Sequence, residues 1–502
     1  MAGSHTSGAV SVDRVAGTGV MLAACVSALV VNANTSAVTI LLPSISKDVG
    51  APVSQLQWAV TGYSLVGAAV IVTAGALGDV LGRRKIFIAG LGLFIASCVL
   101  IALSTGAAGV VGGRMIQGAS GATILACGMS LLSVAASGAA QMKAITLWGA
   151  ASAAGAALGP LVGGVLADSS VGWQGLFWID AGIAAACIPL TLMTVSESRD
   201  PNRSRSIDWV GTALIALVLS PVILALSEGN DWGWTSVRTL GCFVVSLVSG
   251  WLFVVVERRV DAPIVNLALL RNRVLVGSTL AILIVAGTIN ALMYLVSLYF
   301  QDPAALGLNP LQAGVATLPA AAGMIIVTPF ITPLASKIGA GKAVALGFAL
   351  ATVGFVALAF VKQSWAYAAF VLPLVATAVG LGIANGPASS ASTASVPDDQ
   401  VGAASGISNM ARYIGAAVAV AAAAMVDNAV LNNHLDQGAP RANALASGLA
   451  AASLMMAIWT AAGVGLLALM RRYRARRPST VDRAAAAAAT THTIPTRPTV
   501  AP

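Results

Sequence analysis

"WAVTGYSLVGAAVIVTAGALGDVLGRRKIFIAGLGLFIASCVLIA", residues 58–102, holds two long apolar runs, with every charge of the segment (Asp79, Arg83, Arg84 and Lys85) gathered between them. Each run reaches the roughly 18 residues that read as a membrane-crossing helix, against a hydrocarbon core about 30 Å thick. Neither alternates polar and apolar residues as a barrel strand must. The segment therefore reads as two spanning helices joined by a tight, basic turn.

The same pattern fills the chain. Of its 502 residues, 58% are hydrophobic and 9% charged, against roughly 25% charged in a soluble domain. Fourteen spans are expected, at 17–42, 53–77, 86–104, 107–134, 143–167, 175–195, 209–227, 238–256, 274–300, 312–335, 343–361, 366–388, 402–426 and 451–470. The fold class is an all-α integral membrane protein with fourteen transmembrane helices. Its layout is six helices (17–195), a polar linker (196–208, "SESRDPNRSRSID"), an inserted pair (209–256), a basic connection (257–273) and six more helices (274–470). Residues 1–16, and within the tail 471–502 the part from 478 that follows its basic start and is rich in Ala, Thr and Pro, have the composition of disordered segments.

An even number of spans returns both ends to one side. Of the Lys and Arg residues, 21 fall in the two tails and the loops on that side, against Lys47, Arg238, Lys362 and Arg441 on the other. The positive-inside rule then makes both termini cytoplasmic. The net charge of +9 is a topology signal rather than a nucleic-acid surface, and "MRRYRARR" after the last span reads as an anchor on anionic lipid. Arg14, the following apolar run and "VNA" at 31–33 imitate a signal peptide, but the run continues to Leu42, so it is expected to stay as the first span. Cys25, Cys98, Cys127, Cys187 and Cys242 all lie in apolar runs and read as packing residues.

Three stretches carry chemistry beyond span formation. In "GALGDVLGRRK" (75–85), Gly75, Gly78 and Gly82 permit a tight turn and close helix approach, and Asp79 stands four residues before Arg83, placed to pair with it or to cap a neighbouring helix. The competing reading is that Arg83, Arg84 and Lys85 merely fix topology, but topology does not need an acid, which leaves Asp79 unexplained. In "GGRMIQGASGA", Arg114, Gln117, Gly118 and Gly121 share one helical face. Arg114 lies about 10 Å inside the span, where a charge costs at least about 2.5 kcal/mol and should face the protein interior or water; snorkelling to the headgroups is the competing reading. In "GAASAAGAALGPLVGGVL", Gly155, Gly159, Gly163 and Gly164 with Pro160 describe a helix that packs backbone to backbone and bends.

These three motifs, in these spans, resemble those of the major facilitator superfamily: the Asp79 loop its signature loop, the Arg114 helix its fourth-span motif, the Gly159-Pro160 helix the motif of its antiporters. "SQLQWAVTGYSL" with Trp58, Thr61 and Tyr63, "GWQGLFWIDAGI", "SEGNDWGW" and "ERRVDAPIVNLALLRNR" are further similar to its fourteen-span drug:proton antiporter family. The resemblance covers about residues 25 to 470. It implies two six-helix bundles around a central cavity that opens alternately to each side, with energy drawn from protons. It assigns Gly75, Gly78, Asp79, Gly82, Arg83 and Arg84 to a conformational gate, and Gly155, Gly159, Pro160, Gly163 and Gly164 to a hinge. The cavity set is Asn34, Tyr63, Arg114, Gln117 and Asp180.

One position departs from that family. Its first span typically holds an aspartate where "NTSAVTILLP" places Asn34, which cannot titrate, while Asp180 stands in the sixth span where asparagine is usual. Three roles fit: Asp180 compensates Arg114 and exchanges a proton; Asp180 caps the start of its helix; or Arg114 is left for an anionic substrate or lipid headgroup. Asn290, Tyr294, Asn385, Asn409 and Arg412 fit both cavity contacts and interhelical hydrogen bonds. Trp173, Trp232, Trp234 and Trp365 are expected as interfacial anchors.

The function expected is secondary active export of amphipathic or cationic drugs, coupled to protons, in a bacterial plasma membrane. The partners are a small-molecule amphiphile, protons and membrane lipid, with no nucleic acid, and a monomer is expected. An exporter of lipid or an anionic metabolite, and a transporter-like sensor or scaffold, remain alternatives. With no phosphate loop, no histidine within a span and no metal-ligand spacing, no cofactor, metal site or enzymatic activity is expected.

Overall fold

The computed structural model describes residues 7–135, 138–198, 208–260, 263, 267–396 and 400–475. The expected linker from 199 to 207, positions 261, 262 and 264–266 of the basic connection, and the tail from 476 lie outside them. All regular structure among the described residues is helical. The N-terminal bundle comprises α1 (Ser7–Val49), α2 (Val53–Leu56, a single turn leading into the next helix), α3 (Trp58–Leu81), α4 (Arg83–Ala102), α5 (Ala107–Ala135), α6 (Gly138–Ala167) and α7 (Gln174–Thr194). The inserted pair is α8 (Trp209–Trp232) and α9 (Val237–Glu257). The C-terminal bundle holds α10 (Arg273–Gln301), α11 (Pro310–Ile338), α12 (Ala340–Leu358), α13 (Tyr367–Thr393), α14 (Val401–Asp436) and α15 (Arg441–Ala475). Fourteen of these, counting α2 and α3 together, are long and apolar enough to cross a membrane.

Helix ends differ from the apolar runs in an instructive way. α1 begins at Ser7, inside the segment expected to be disordered, and continues through Pro43 to Val49. A proline costs one intrahelical bond, which membrane helices tolerate when neighbours and local adjustment satisfy the freed carbonyl. α14 runs ten residues past its expected end to Asp436, and α15 starts ten residues early at Arg441. The extensions "DNAVLNNHLD" and "RANALASGLA" are more polar than the runs they continue, and they lie against each other, a Cβ on Gly448 falling 2.7 Å from Asp427 Oδ1.

Within the first bundle α1 packs on α6, α3 on α5, and α4 on α5 and α7; within the second, α12 packs on α13 and α15, and α10 on α14. α8 lies against α3 and α14, where the two bundles meet, with the Thr73 and Thr212 hydroxyls 2.6 Å apart. α9 packs chiefly on α8 and turns Val237, Leu240, Val244, Leu247 and Trp251 outward, as a lipid-facing helix must. The bundles join through α3–α14, α6–α11 and α1–α10.

We call the side carrying the chain ends the terminal face and the other the opposite face. Near the opposite face the join is tight. A Cβ on Gly164 of α6 would lie 2.7 Å from both Leu311 Cα and Pro310 O of α11, and one on Gly314 of α11 would collide with the Pro160 carbonyl. Ser297 Oγ donates to Thr39 O at 2.9 Å and Gln301 Nε2 to Ile40 O at 3.1 Å, tying α10 to α1.

Candidate functional site

Arg114 occupies the eighth position of α5 and is fully buried. The expectation that it turns inward holds, and the snorkelling alternative does not. Its Nε donates to the Ala59 carbonyl of α3 at 2.9 Å, and its Nη1 to Asn34 Oδ1 of α1 and Gln117 Oε1, both at 2.5 Å. Its guanidinium carbon stands 4.3 Å from the centre of the Tyr63 ring, a cation–π contact. Nη2 is buried without a hydrogen-bond partner.

Asp180 is the seventh residue of α7, beyond the first turn, so it does not cap that helix. Its Oδ2 instead accepts from Asn34 Nδ2 at 2.6 Å. One amide thus bridges the two side chains, its oxygen accepting a hydrogen bond from Arg114 and its nitrogen donating one to Asp180. The amide offers a donor to one side and an acceptor to the other; an ionised aspartate at position 34 would offer acceptors alone, facing a second carboxylate. The two positions expected to depart from the family pattern, Asn34 and Asp180, thus meet each other directly. Gln117 completes the cluster, donating through Nε2 to Cys98 Sγ at 3.0 Å.

All five residues expected in the cavity come together, but in a closed cluster: Asn34, Tyr63, Arg114, Gln117 and Asp180 are each at most 4% exposed. They sit inside the N-terminal bundle rather than lining open space. Tyr63 links them to the other bundle, its ring 6.3 Å from that of Tyr413 on α14, which itself lies on Gly67 of α3. Neither the Ala59 carbonyl nor Tyr413 was legible as a partner, since nothing in their local sequence marks them.

At the terminal face, Arg83 pairs with Asp79 at 2.9 Å. Gly82, at φ +119°, makes the turn, and its neighbours are docked on the end of α7: Arg83 N donates to Ser198 O at 3.0 Å, Arg84 N to Glu197 Oε1 at 3.1 Å, and Arg84 Nη1 to Val195 O at 3.0 Å. Glu197 is a participant that the linker's polar composition concealed. A Cβ on Gly78 would touch Cys127 Sγ of α5 at 3.1 Å, whereas one on Gly75 would meet nothing within 4 Å.

The glycines of α6 divide by partner. A Cβ on Gly155 or Gly159 would collide with the backbone carbonyls of Leu29 and Ala33 on α1, and one on Gly163 would lie 2.8 Å from Ala37 O. Gly164, one residue on, faces α11. α6 is thus the helix on which both an internal seam and an inter-bundle seam run. Trp173, expected as an interfacial anchor, is instead 3% exposed and donates to Asp48 Oδ2 at 2.9 Å, fastening the end of α1 to the turn before α7.

Two six-helix bundles joined face to face, with an inserted pair that brings the spanning helices to fourteen, and a buried charge network in the first bundle define a secondary transmembrane transporter. The chain matches the model of the Major Facilitator Superfamily over residues 23–420, and it belongs to that superfamily. It is 30% identical over 410 residues to the multidrug efflux pump LfrA of Mycolicibacterium smegmatis, covering 81% of this chain and 80% of that one. It is 29% identical over 408 residues to the multidrug resistance protein Stp of Mycobacterium tuberculosis, covering 80% and 75%. The fold is similar to that of an auto-inhibited peptide transporter of the POT family, with a TM-score of 0.64 at 15% identity over 93% of this chain and 98% of that one.

Proposed function

We propose that this protein exports amphipathic compounds across a bacterial plasma membrane in exchange for protons, with both termini cytoplasmic. The names of its relatives, a multidrug efflux pump and a multidrug resistance protein, support the cargo class, and the cation bias supports the orientation. The observation that carries the coupling is the Arg114–Asn34–Asp180 bridge. While Asp180 is ionised, its charge offsets that of Arg114 through the shared amide. A proton on Asp180 removes that offset and leaves a buried cation unpaired, a situation that costs about 3–5 kcal/mol in comparable buried pairs. Relief comes if the cluster loosens and Arg114 gains water, and the Tyr63–Tyr413 contact passes the movement to the second bundle. In this reading the α6–α11 and α1–α10 joins close the periplasmic side, and the Asp79–Arg83 turn latches the cytoplasmic side of the first bundle.

Reconstitution into vesicles with an imposed pH gradient tests this reading. An amphipathic dye such as ethidium should move against its own gradient, proton flux should accompany it, and Asp180→Asn should lose the proton-driven component. Equal dye movement with and without the pH gradient would rule out the coupling.

A further inference from the structure

Two of the 27 Lys and Arg residues lie deep within spans, Arg114 and Arg412. Arg114 has a carboxylate one amide away. Arg412 does not: its Nη1 donates to Asn385 Oδ1 at 3.1 Å and its Nη2 to Ser389 Oγ at 2.7 Å, both neutral groups on α13. Among the described residues no carboxylate stands within ion-pair distance of it.

Arg412 lies about 16 Å along α14 from Val401, roughly halfway through a hydrocarbon core of about 30 Å. It is half-buried, as are Asn385, Ser389 and Asn409. The residues to either side of it turn toward the first bundle, Ser405 donating to Met129 Sδ of α5 at 3.4 Å and Tyr413 resting on Gly67 of α3. The guanidinium therefore sits where the α13–α14 groove meets the boundary between the bundles.

A clamp between α13 and α14 needs no charge. One turn away, Ser392 and Ser408 already join the same helices at 2.6 Å, both hydroxyls neutral. A charge at this depth is costly unless it meets water, backbone carbonyls or a group of opposite sign. A guanidinium carries five N–H donors in a planar fork suited to carboxylate and phosphate. Asn385 and Ser389 use two of the five, fixing the plane of the fork and leaving the others to a ligand.

We propose that Arg412, oriented by Asn385 and Ser389, is an anion-recognising subsite on the transport path. Its ligand is an amphiphile bearing a carboxylate or phosphate group, either a cargo molecule or a phospholipid headgroup. This deepens the export reading and rests on it for the transport assay, though not for the binding assay.

Three dansyl probes on one alkyl chain separate the alternatives: 11-(dansylamino)undecanoic acid, its methyl ester, and the corresponding amine. In phosphatidylcholine vesicles the wild-type protein should move the acid, and Arg412→Gln should reduce that flux about tenfold while ester and amine stay within about twofold. Arg412→Lys, which keeps the charge without the fork, should fall between. A second arm adds phosphatidylglycerol and reads retained lipid by native mass spectrometry. Retention by wild type, lost in Arg412→Gln, with no acid transport, assigns the ligand to the headgroup and still supports the subsite. Should wild type move none of the probes, the export reading fails, and fluorescence titration of the purified protein with the acid decides the subsite alone: saturable enhancement lost in Arg412→Gln supports it. Identical binding of the acid and identical lipid retention by wild type and Arg412→Gln, or an equal fall for all three probes together with a lowered melting temperature, would show a structural clamp and overturn the proposal.

Discussion

At Asn34 a single side chain holds two opposite charges apart and in register. The amide makes the Asp180 carboxylate felt at Arg114 without a direct ion pair, through bonds of 2.5 and 2.6 Å. Two residue-scale outcomes follow from its dual donor and acceptor character. Asn34→Asp alone should place two carboxylates beside one guanidinium, and because like charges disfavour joint ionisation, transport should fall about tenfold. Joining it with Asp180→Asn returns one acid and one amide in swapped places and should recover activity to within about threefold, measured as dye efflux in vesicles. A double variant no better than Asn34→Asp would show that the two positions are not coupled. Asp180→Asn by itself should also lower the melting temperature, because a buried arginine losing its counter-charge costs about 3–5 kcal/mol.

For the helices, the decisive feature is how close two backbones come. α6 approaches α1 along Gly155, Gly159 and Gly163, where any Cβ meets α1 carbonyls. Gly159→Leu has no room without displacing α1, and overpacking of this kind costs about 1–3 kcal/mol or more, so its yield of folded protein and melting temperature should drop. Gly75→Ala is the control: it sits in α3 with open space around it, and helix propensity favours alanine there by about 1 kcal/mol, so it should be neutral or slightly stabilising in the same thermal assay. Equal effects at the two positions would show that backbone approach is not what Gly159 provides. The same distinction separates the glycines of the signature loop, since Gly82 makes a turn at φ +119° while Gly75 does not.

Across the whole molecule, the bundles are joined most closely near the opposite face, through α6–α11 and α1–α10. Gly164 allows α6 and α11 to meet, and Gln301 reaches across to α1 beside it. Gly164→Leu should therefore wedge the opposite face apart. In that background a cysteine introduced at Gln301 should react faster with a membrane-impermeant maleimide added outside intact cells than in the parent. An unchanged rate would mean that α6–α11 contact does not govern that face. Orientation is read by the same reagent: Thr105→Cys, in the turn between α4 and α5, should label from outside, and Lys342→Cys, at the start of α12 on the terminal face, only after permeabilisation. The reverse pattern would invert the topology.

Much of this architecture was legible in the sequence for one reason: in lipid each helix must satisfy its own backbone hydrogen bonds, so length and apolarity of a local run suffice to define a span. Where that reason lapses, so did the reading: α14 and α15 extend through more polar residues that lie against each other. Arg114 was recognisable as interior from the cost of its charge. Its neighbours were not, since helical periodicity tells which residues share a face but not which helix that face meets. Asn34 and Asp180, 146 positions apart, become one bridge only when α1, α5 and α7 pack together, and Arg412 gains its place at the bundle boundary only when α13 and α14 meet. Composition determined that the chain spans the membrane fourteen times; the packing of those helices alone decided which buried charges answer each other and which one meets only neutral groups.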